Sequence, residues 1–345
     1  VILILFKIGA DAGASLVTLA AAALILPMFL LSALGGELAD KHDKAVMSRW
    51  IKLAEIPVAA LAGIGFMLDS VPLLFASIAL FGCGAALFGP IKYGILPDHL
   101  ERNELPAANA LVEGATFVAI LAGTIAAGIA MTGTETGTET GTVIPSWLVA
   151  GIVIAFAAIG WLAARYVNET GAAAPALSLT TNPLRSTGDR IAELRTDRRL
   201  WIGGLITSWF WLAGIVALSL LPTRIKGHLG GTEALITTAL CVFTVGIAFG
   251  SYVAARASRH RPNLALVPVG ALLMGLFCLD LGWTGWGVTA AEGSLGLDQL
   301  WSSVTGMHVM FDLFAMSAAG GLFIVPAFAA VQGWAPADRR ARVIA

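Results

Sequence analysis

The sequence predicts an all-α polytopic membrane protein, and three observations carry that prediction. Of 345 residues, 57% are hydrophobic and only 12% are charged, against about 25% charged in ordinary soluble domains. The apolar residues fall in runs that approach the roughly 20 residues an α-helix needs to cross a hydrocarbon core; Pro72 to Pro90, for example, contains no charge. When connections are assigned to alternate sides, all but Lys7, Arg224 and Lys226 of the 21 Lys and Arg collect on one side. That asymmetry marks cytoplasmic loops. A net charge of −1 gives no general affinity for nucleic acid.

Taken in order, Val1 to Ile8 reads as the tail of a helix that starts before the chain does, followed by a turn over Gly9 to Gly13. Spans are expected over Ala14 to Ala39, Val46 to Leu68, Pro72 to Pro90, Leu105 to Met131 and Ile144 to Ala164. Pro90 should end its helix, because proline lacks an N–H and disfavours helical geometry at the residue before it. The chain would leave there into Lys92-Tyr93-Gly94 and a polar turn, Asp98 to Glu104. The Gly- and Thr-rich stretch 132–142 is expected to be a mobile loop without chemistry.

Residues 165–199 are the long break in hydrophobicity and read as a basic cytoplasmic linker. Within it Leu184, Ile191 and Leu194 can share one helix face, among Arg185, Arg190, Arg195, Arg198 and Arg199. This fits either a short helix on an anionic leaflet or a solvated connection. Four further spans are expected: Leu200 to Pro222, Glu233 to Ala255, Leu264 to Trp283 and Met307 to Gln332. Gly246 and Gly250 form a small-xxx-small pair suited to close helix packing, and Trp286 and Trp301 suit an interfacial segment. Cys83, Cys241 and Cys278 lie in apolar runs without metal-ligand spacing and are expected to be buried, reduced thiols.

Ionisable groups inside apolar spans are the candidate functional residues. Glu113 lies about two turns into its helix; a carboxylate there costs about 2.5 to 3.5 kcal/mol on insertion, so it should face protein or water. It is either an anchor for Lys92 or a neighbouring helix, or part of a transport route. His308 and Asp312, four apart, share a helix face, and Asp280 lies near the same level. Together they could bind a coupling proton or cation, or form only a helix-end salt bridge. Lys52 and Glu55 read as a structural pair. There is no Gly-x4-Gly-Lys-Ser/Thr phosphate loop, Gly-x-Ser-x-Gly elbow or His-Glu-x2-His pair. His308 and Asp312 are one residue too close for a His-x4-Asp acyltransferase motif, and His99 with Glu104 reads as a loop coincidence. No enzymatic activity, cofactor or resident metal is expected.

An internal repeat gives the architecture. Laying Pro90 on Pro326 places Gly84 on Gly320, Phe88 on Ile324 and Ile95 on Val331, with a charged turn after both; Gly36 to Lys41 is echoed weakly by Gly250 to Arg256. The expected domains are an N-terminal bundle over 1–164, the linker 165–199 and a C-terminal bundle over 200–345, parallel in the membrane. Within the first, Gly35 and Gly36 let two helix ends approach, Asp40 can accept from an adjacent helix N-terminus, and Lys41 and Lys44 can pair with carboxylates.

Two such halves, with the turn Gly36-x3-Asp40-Lys41-x2-Lys44, resemble the major facilitator superfamily. The resemblance implies two bundles around a central cavity, truncated here to the end of helix one through helix ten and the start of eleven, and a gating role for Gly36, Asp40, Lys41 and Lys44. It also implies that helix eleven is the helix end Asp40 would meet, so that contact is expected to stay incomplete. Asp43 stands where the pattern usually has Gly.

A narrower resemblance rests on Phe88-Gly89-Pro90-Ile91-Lys92-Tyr93-Gly94-Ile95-Leu96-Pro97, then Leu105, Ala108-Asn109-Ala110-Leu111-Val112-Glu113 and Ala119 to Thr124. This stretch is similar to the lysophospholipid transporter family of bacterial inner membranes. The similarity implies a secondary transporter moving lysophospholipid to the inner leaflet for reacylation, in contact with membrane lipids and with a fused or co-encoded acyltransferase and acyl-carrier ligase. Lys92, Tyr93, Asn109 and Glu113 are the substrate candidates it points to, Lys92 because an amphiphile's phosphate needs a cation nearby. Helix seven has Ala217 and Leu218 where some relatives carry Arg. A proton-coupled exporter of drugs or small metabolites on the same fold is the alternative these residues leave open.

Overall fold

A computed structural model describes residues 10–132, 145–180, 182–229, 233–259, 261–284 and 302–345. The described residues are helical throughout their ordered elements: α1 (Ala10–Lys41), α2 (Lys44–Met67), α3 (Val71–Gly94), the single turn α4 (Leu96–His99), α5 (Leu105–Thr132), α6 (Ser146–Ala164), α7 (Pro183–Thr196), α8 (Arg198–Leu229), α9 (Glu233–Ala257), α10 (Leu266–Thr284), α11 (Val304–Trp334), a 3-10 turn (Ala337–Arg339) and α12 (Arg340–Ile344). Eight helical stretches among the described residues are long and apolar enough to cross a membrane, so the chain is a multi-pass membrane protein.

Three expected boundaries change. α1 already runs from Ala10, so residues 10–13 are helix and not turn; the penalty for Gly13, about 1 kcal/mol, is small against the strong helix formers around it. α3 does not stop at Pro90 but continues through it to Gly94, where the Ile95 N–H closes the end on the Ile91 carbonyl at 2.9 Å. Proline forfeits one rung, whereas leaving the helix in apolar surroundings would strand several, at several kcal/mol each. Lys92 and Tyr93 therefore lie on a helix, not in an exit loop. For the same reason α8 is continuous to Leu229 and does not end at Pro222.

The cysteines are free thiols, but Cys83 and Cys241 are half-buried and Cys278 is exposed. An apolar run buries only the face that meets protein, so apolar sequence neighbours do not ensure burial. The Val1 to Ile8 tail, residues 133–142 of the low-complexity loop, and Trp286 with Trp301 lie outside the described residues.

The chain divides into two compact units. The first comprises Val1–His99, Ala126–Leu200 and Ala335–Ala345. Here α1 packs on α3, and α2 packs on α3 and α6. Glycine permits the closest approaches: a Cβ on Gly82 would lie 2.4 Å from the Leu24 carbonyl oxygen, and one on Gly35 2.7 Å from that of Ala86. In the linker Asn182 caps α7 by accepting from the Leu184 and Arg185 amides at 3.0 and 3.2 Å, with Pro183 in the first turn. α7 packs on α1, while Leu184 and Ile191 are exposed and Leu194 is half-buried.

The second unit comprises Leu100–Ile125 and Trp201–Trp334. α11 is its mostly buried centre, with α9 and α10 packed against it. The small-residue stripe expected on α9 is what allows this: Cβ atoms on Gly246 and Gly250 would fall 2.5 and 1.8 Å from the Phe314 and Ala318 carbonyl oxygens of α11. Phe117 of α5 meets Phe243 of α9 with ring centroids 6.1 Å apart, and Phe249 meets Phe314 at 5.7 Å. Pro90 and Pro326, matched by the repeat, each lie inside a helix, α3 in the first unit and α11 in the second.

Candidate functional site

The end of α1 carries the densest polar network. Asp40 is fully buried, and its carboxylate accepts from the Ala341 amide (3.0 Å), the Arg342 amide (3.1 Å) and Arg342 Nε (3.0 Å). The two amides are among the first free N–H groups of α12, and a carboxylate satisfies them while meeting the positive end of the helix. Gly36 admits α12: a Cβ there would lie 2.7 Å from Ala345 Cβ and 2.9 Å from both the Ala341 carbonyl oxygen and Arg342 Cα. The contact expected to stay incomplete is therefore made, because the chain turns at Ala335-Pro336 and starts a new helix whose amides need an acceptor.

Lys44 is buried, 1% exposed, and its Nζ donates to Asp98 Oδ2 at 2.8 Å; Asp98 Oδ1 accepts from the Arg340 guanidinium at 3.2 Å. Lys41 closes the last turn of α1 and is half-buried. Glu37, 1% exposed, holds the linker by accepting from the Thr180 amide and from Ser186 Oγ at 2.8 and 2.6 Å. Asp43 does not need to be glycine, since its backbone is extended with φ −64°. It caps α2 through the Ala45 and Val46 amides and also accepts from the Thr170 and Gly171 amides. Partial burial would raise this carboxyl, but the four amide donors outweigh it and hold Asp43 below the ordinary carboxylate range.

Of the substrate candidates, Lys92 is half-buried, with Nζ 3.4 Å from the Tyr93 hydroxyl and 4.8 Å from the centre of its ring. Tyr93 is buried. Both lie in the first unit, whereas Asn109 and Glu113 lie in the second, on α5. Glu113 is 1% exposed, in keeping with a carboxylate turned to protein. Asn109 is completely buried and forms a reciprocal amide pair with Gln332 of α11: Asn109 Nδ2 donates to Gln332 Oε1 at 2.6 Å, and Gln332 Nε2 donates to Asn109 Oδ1 at 3.1 Å. Such a pair is worth most where water cannot substitute for either partner.

Asp280 on α10 and His308 and Asp312 on α11 are brought together as the spacing implied. His308 Nε2 lies 3.1 Å from Asp280 Oδ2 and 3.5 Å from Asp312 Oδ2. Lys52 Nζ binds both Glu55 carboxylate oxygens, at 2.8 and 3.0 Å, and lies 4.1 Å over the Phe88 ring. His99 is occupied with the Ile95 and Asn168 carbonyl oxygens, a structural role.

Gln332, Asp98, Arg340 and Arg342 take part in these networks without having been singled out by sequence. Gln332 carried a usable signal, an amide side chain inside an otherwise apolar span. Asp98 and Arg340 did not, since each lies in a polar connection where charge is ordinary.

Comparison with known proteins places these networks in a family. Over 260 residues the chain is 29% identical to the lysophospholipid transporter LplT of Serratia proteamaculans, which covers 75% of this chain and 58% of that protein. It is 27% identical over 309 residues to LplT of Salmonella gallinarum, covering 86% and 66%. The chain thus spans little more than half the length of the first of these relatives. Among solved structures, the human organic anion transporter MFSD10 superposes with a TM-score of 0.70 at 17% identity, over 94% of this chain and 71% of that one. The proton:xylose symporter XylE superposes with a TM-score of 0.68 at 14% identity, over 98% and 76%. At those identities the likeness is one of fold. The Major Facilitator Superfamily profile matches residues 1–345; with the fold in agreement, the chain belongs to the Major Facilitator Superfamily, a family of membrane transporters and not of enzymes.

Proposed function

We propose that this protein is a secondary transporter of the bacterial inner membrane that moves lysophospholipid to the inner leaflet by alternating access, with residues 1–164 and 200–345 as the two moving halves and 165–199 as their cytoplasmic linker. The observation that carries the mechanical part is the Asp40 cluster. It ties α1, from the first half of the chain, to α12, from the second, by three hydrogen bonds at the end where basic residues gather. The Lys44–Asp98–Arg340 bridge runs beside it, and the Asn109–Gln332 pair joins the start of α5 to the end of α11. These contacts act as latches: made, they close the cytoplasmic end; broken, they let the halves rock.

The substrate reading is supported by the relatives named as lysophospholipid transporters and by the Phe88 to Glu113 stretch. Lys92 supplies a cation for a phosphate headgroup and Glu113 a buried acid. An acyltransferase with an acyl-carrier ligase is the partner that would consume the delivered lipid. The test is uptake of labelled lysophosphatidylethanolamine by spheroplasts carrying the protein, with Lys92→Ala and Glu113→Gln as comparisons. Uptake above background that falls at least about tenfold in both variants is expected, the scale for losing one charged contact worth about 1.5 kcal/mol or more. Uptake equal to protein-free spheroplasts, or drug resistance driven by a proton gradient, would overturn the substrate assignment.

A further inference from the structure

The structure assigns a divalent transition-metal site to Asp280, His308 and Asp312, and this inference stands apart from the lysophospholipid reading. One ligand atom from each side chain can be chosen so that all three lie within 4.8 Å of one another. Two ligands about 2.1 Å from a single ion, at a right or tetrahedral angle, are about 3.0 to 3.4 Å apart. Of the His308 Nε2 separations from the two carboxylates, 3.1 Å to Asp280 falls within that range and 3.5 Å to Asp312 lies just beyond it.

The independent observation is Asp312. Its side chain is 1% exposed, and among the described residues neither carboxylate oxygen accepts a hydrogen bond. His308 does not supply the missing donor. Nε2 carries at most one hydrogen, and Asp280 Oδ2 is the nearer acceptor with good geometry. A buried carboxylate without donors is costly. A dication shared with Asp280 and a neutral imidazole removes that cost and gives a charge-balanced set, two carboxylates against a 2+ ion.

The donor set selects the ion. Imidazole with carboxylates favours first-row ions such as zinc over calcium or magnesium, which prefer all-oxygen sites. The place allows loading: Asp280 lies about one turn before the end of α10 and His308 about one turn after the start of α11, and their side chains are 44% and 43% exposed. Water can complete the coordination there. Bound metal would pin the last turn of α10 to the first turns of α11.

The test is isothermal titration of the tag-free protein in detergent with zinc, repeated in excess calcium. Asp312→Asn, Asp280→Asn and His308→Gln are the variants. One zinc per chain is expected, unaffected by calcium and weakened at least about tenfold in each variant, with a zinc-dependent rise in melting temperature only in the parent. Asp280 and His308 are exposed enough for their variants to fold, so they decide the matter if Asp312→Asn does not. Absence of saturable one-to-one binding, or binding unchanged in the Asp280 and His308 variants, would overturn the assignment.

Discussion

Replacing Asp40 by Asn should open the α1–α12 latch without unfolding the protein. The carboxylate accepts three hydrogen bonds, two from backbone amides and one from a guanidinium. Asparagine keeps one acceptor oxygen and turns an NH2 toward the remaining donors. Hydrogen bonds to a charged group contribute about 1.5 to 3 kcal/mol each. Losing roughly two of them, less the desolvation cost of the buried charge that is also removed, leaves a net loss of about 3 kcal/mol. At about 1.4 kcal/mol per factor of ten, amides 341 and 342 should open and exchange with deuterium about 100-fold faster. Hydrogen exchange read by mass spectrometry on a peptide spanning 336–345 measures this directly, and a peptide covering α9 serves as control. Protection at 341–342 within a factor of two of the parent would refute the latch. An equal loss across both peptides would show that Asp40 supports global stability instead.

Other expectations follow from the same geometry. Asn109→Leu alone removes the two hydrogen bonds it shares with the buried Gln332 amide and should cost about 1 to 3 kcal/mol, whereas Asn109→Leu with Gln332→Leu should recover part of it; thermal melting of the four-member cycle in detergent checks the coupling. Gly250→Leu places a side chain where a Cβ alone would meet the Ala318 carbonyl oxygen at 1.8 Å, so α9 must shift off α11, and the protein should melt well below the parent or fail to fold. Asp43→Ala removes the α2 cap and should cost about 0.5 to 2 kcal/mol. Because the folded carboxyl lies below its ordinary value, the stability it contributes is complete above the unfolded value near 4 and is lost as pH falls through the depressed folded value. The gap between parent and Asp43→Ala melting temperatures should therefore close on acidification and stay constant above neutrality.

Much of this was legible in the residues because it is local. Spans follow from uncharged runs, and His308 with Asp312 follows from four-residue spacing. Gly246 with Gly250 follows from the demand of two backbones for space. Asp40 was legible as an acceptor, since a buried acid at a helix end needs donors, and the resemblance named helix eleven as the end it would meet, but the residues that supply the donors were not legible. Ala341 and Arg342 lie some 300 positions away in a short polar stretch that has no amphipathic pattern to declare a helix. The Asn109–Gln332 pair was half legible for the same reason, one partner lying in a motif and the other far along the chain. Pro90 misled because the cost of proline in a helix is judged against water, whereas in an apolar setting the competing cost is unpaired backbone. The cysteines misled because hydropathy identifies residues that avoid water without saying which of them meet protein.

The claim that substrate-linked rocking breaks the α1–α12 contact is tested most directly by pulsed electron–electron resonance between spin labels at His42 and Asp338, two exposed positions beside the latch. With the protein in lipid nanodiscs, a short distance should dominate, and a longer one should grow on adding lysophosphatidylethanolamine and dominate in Asp40→Asn. A single distance that neither the lipid nor the substitution moves would contradict it.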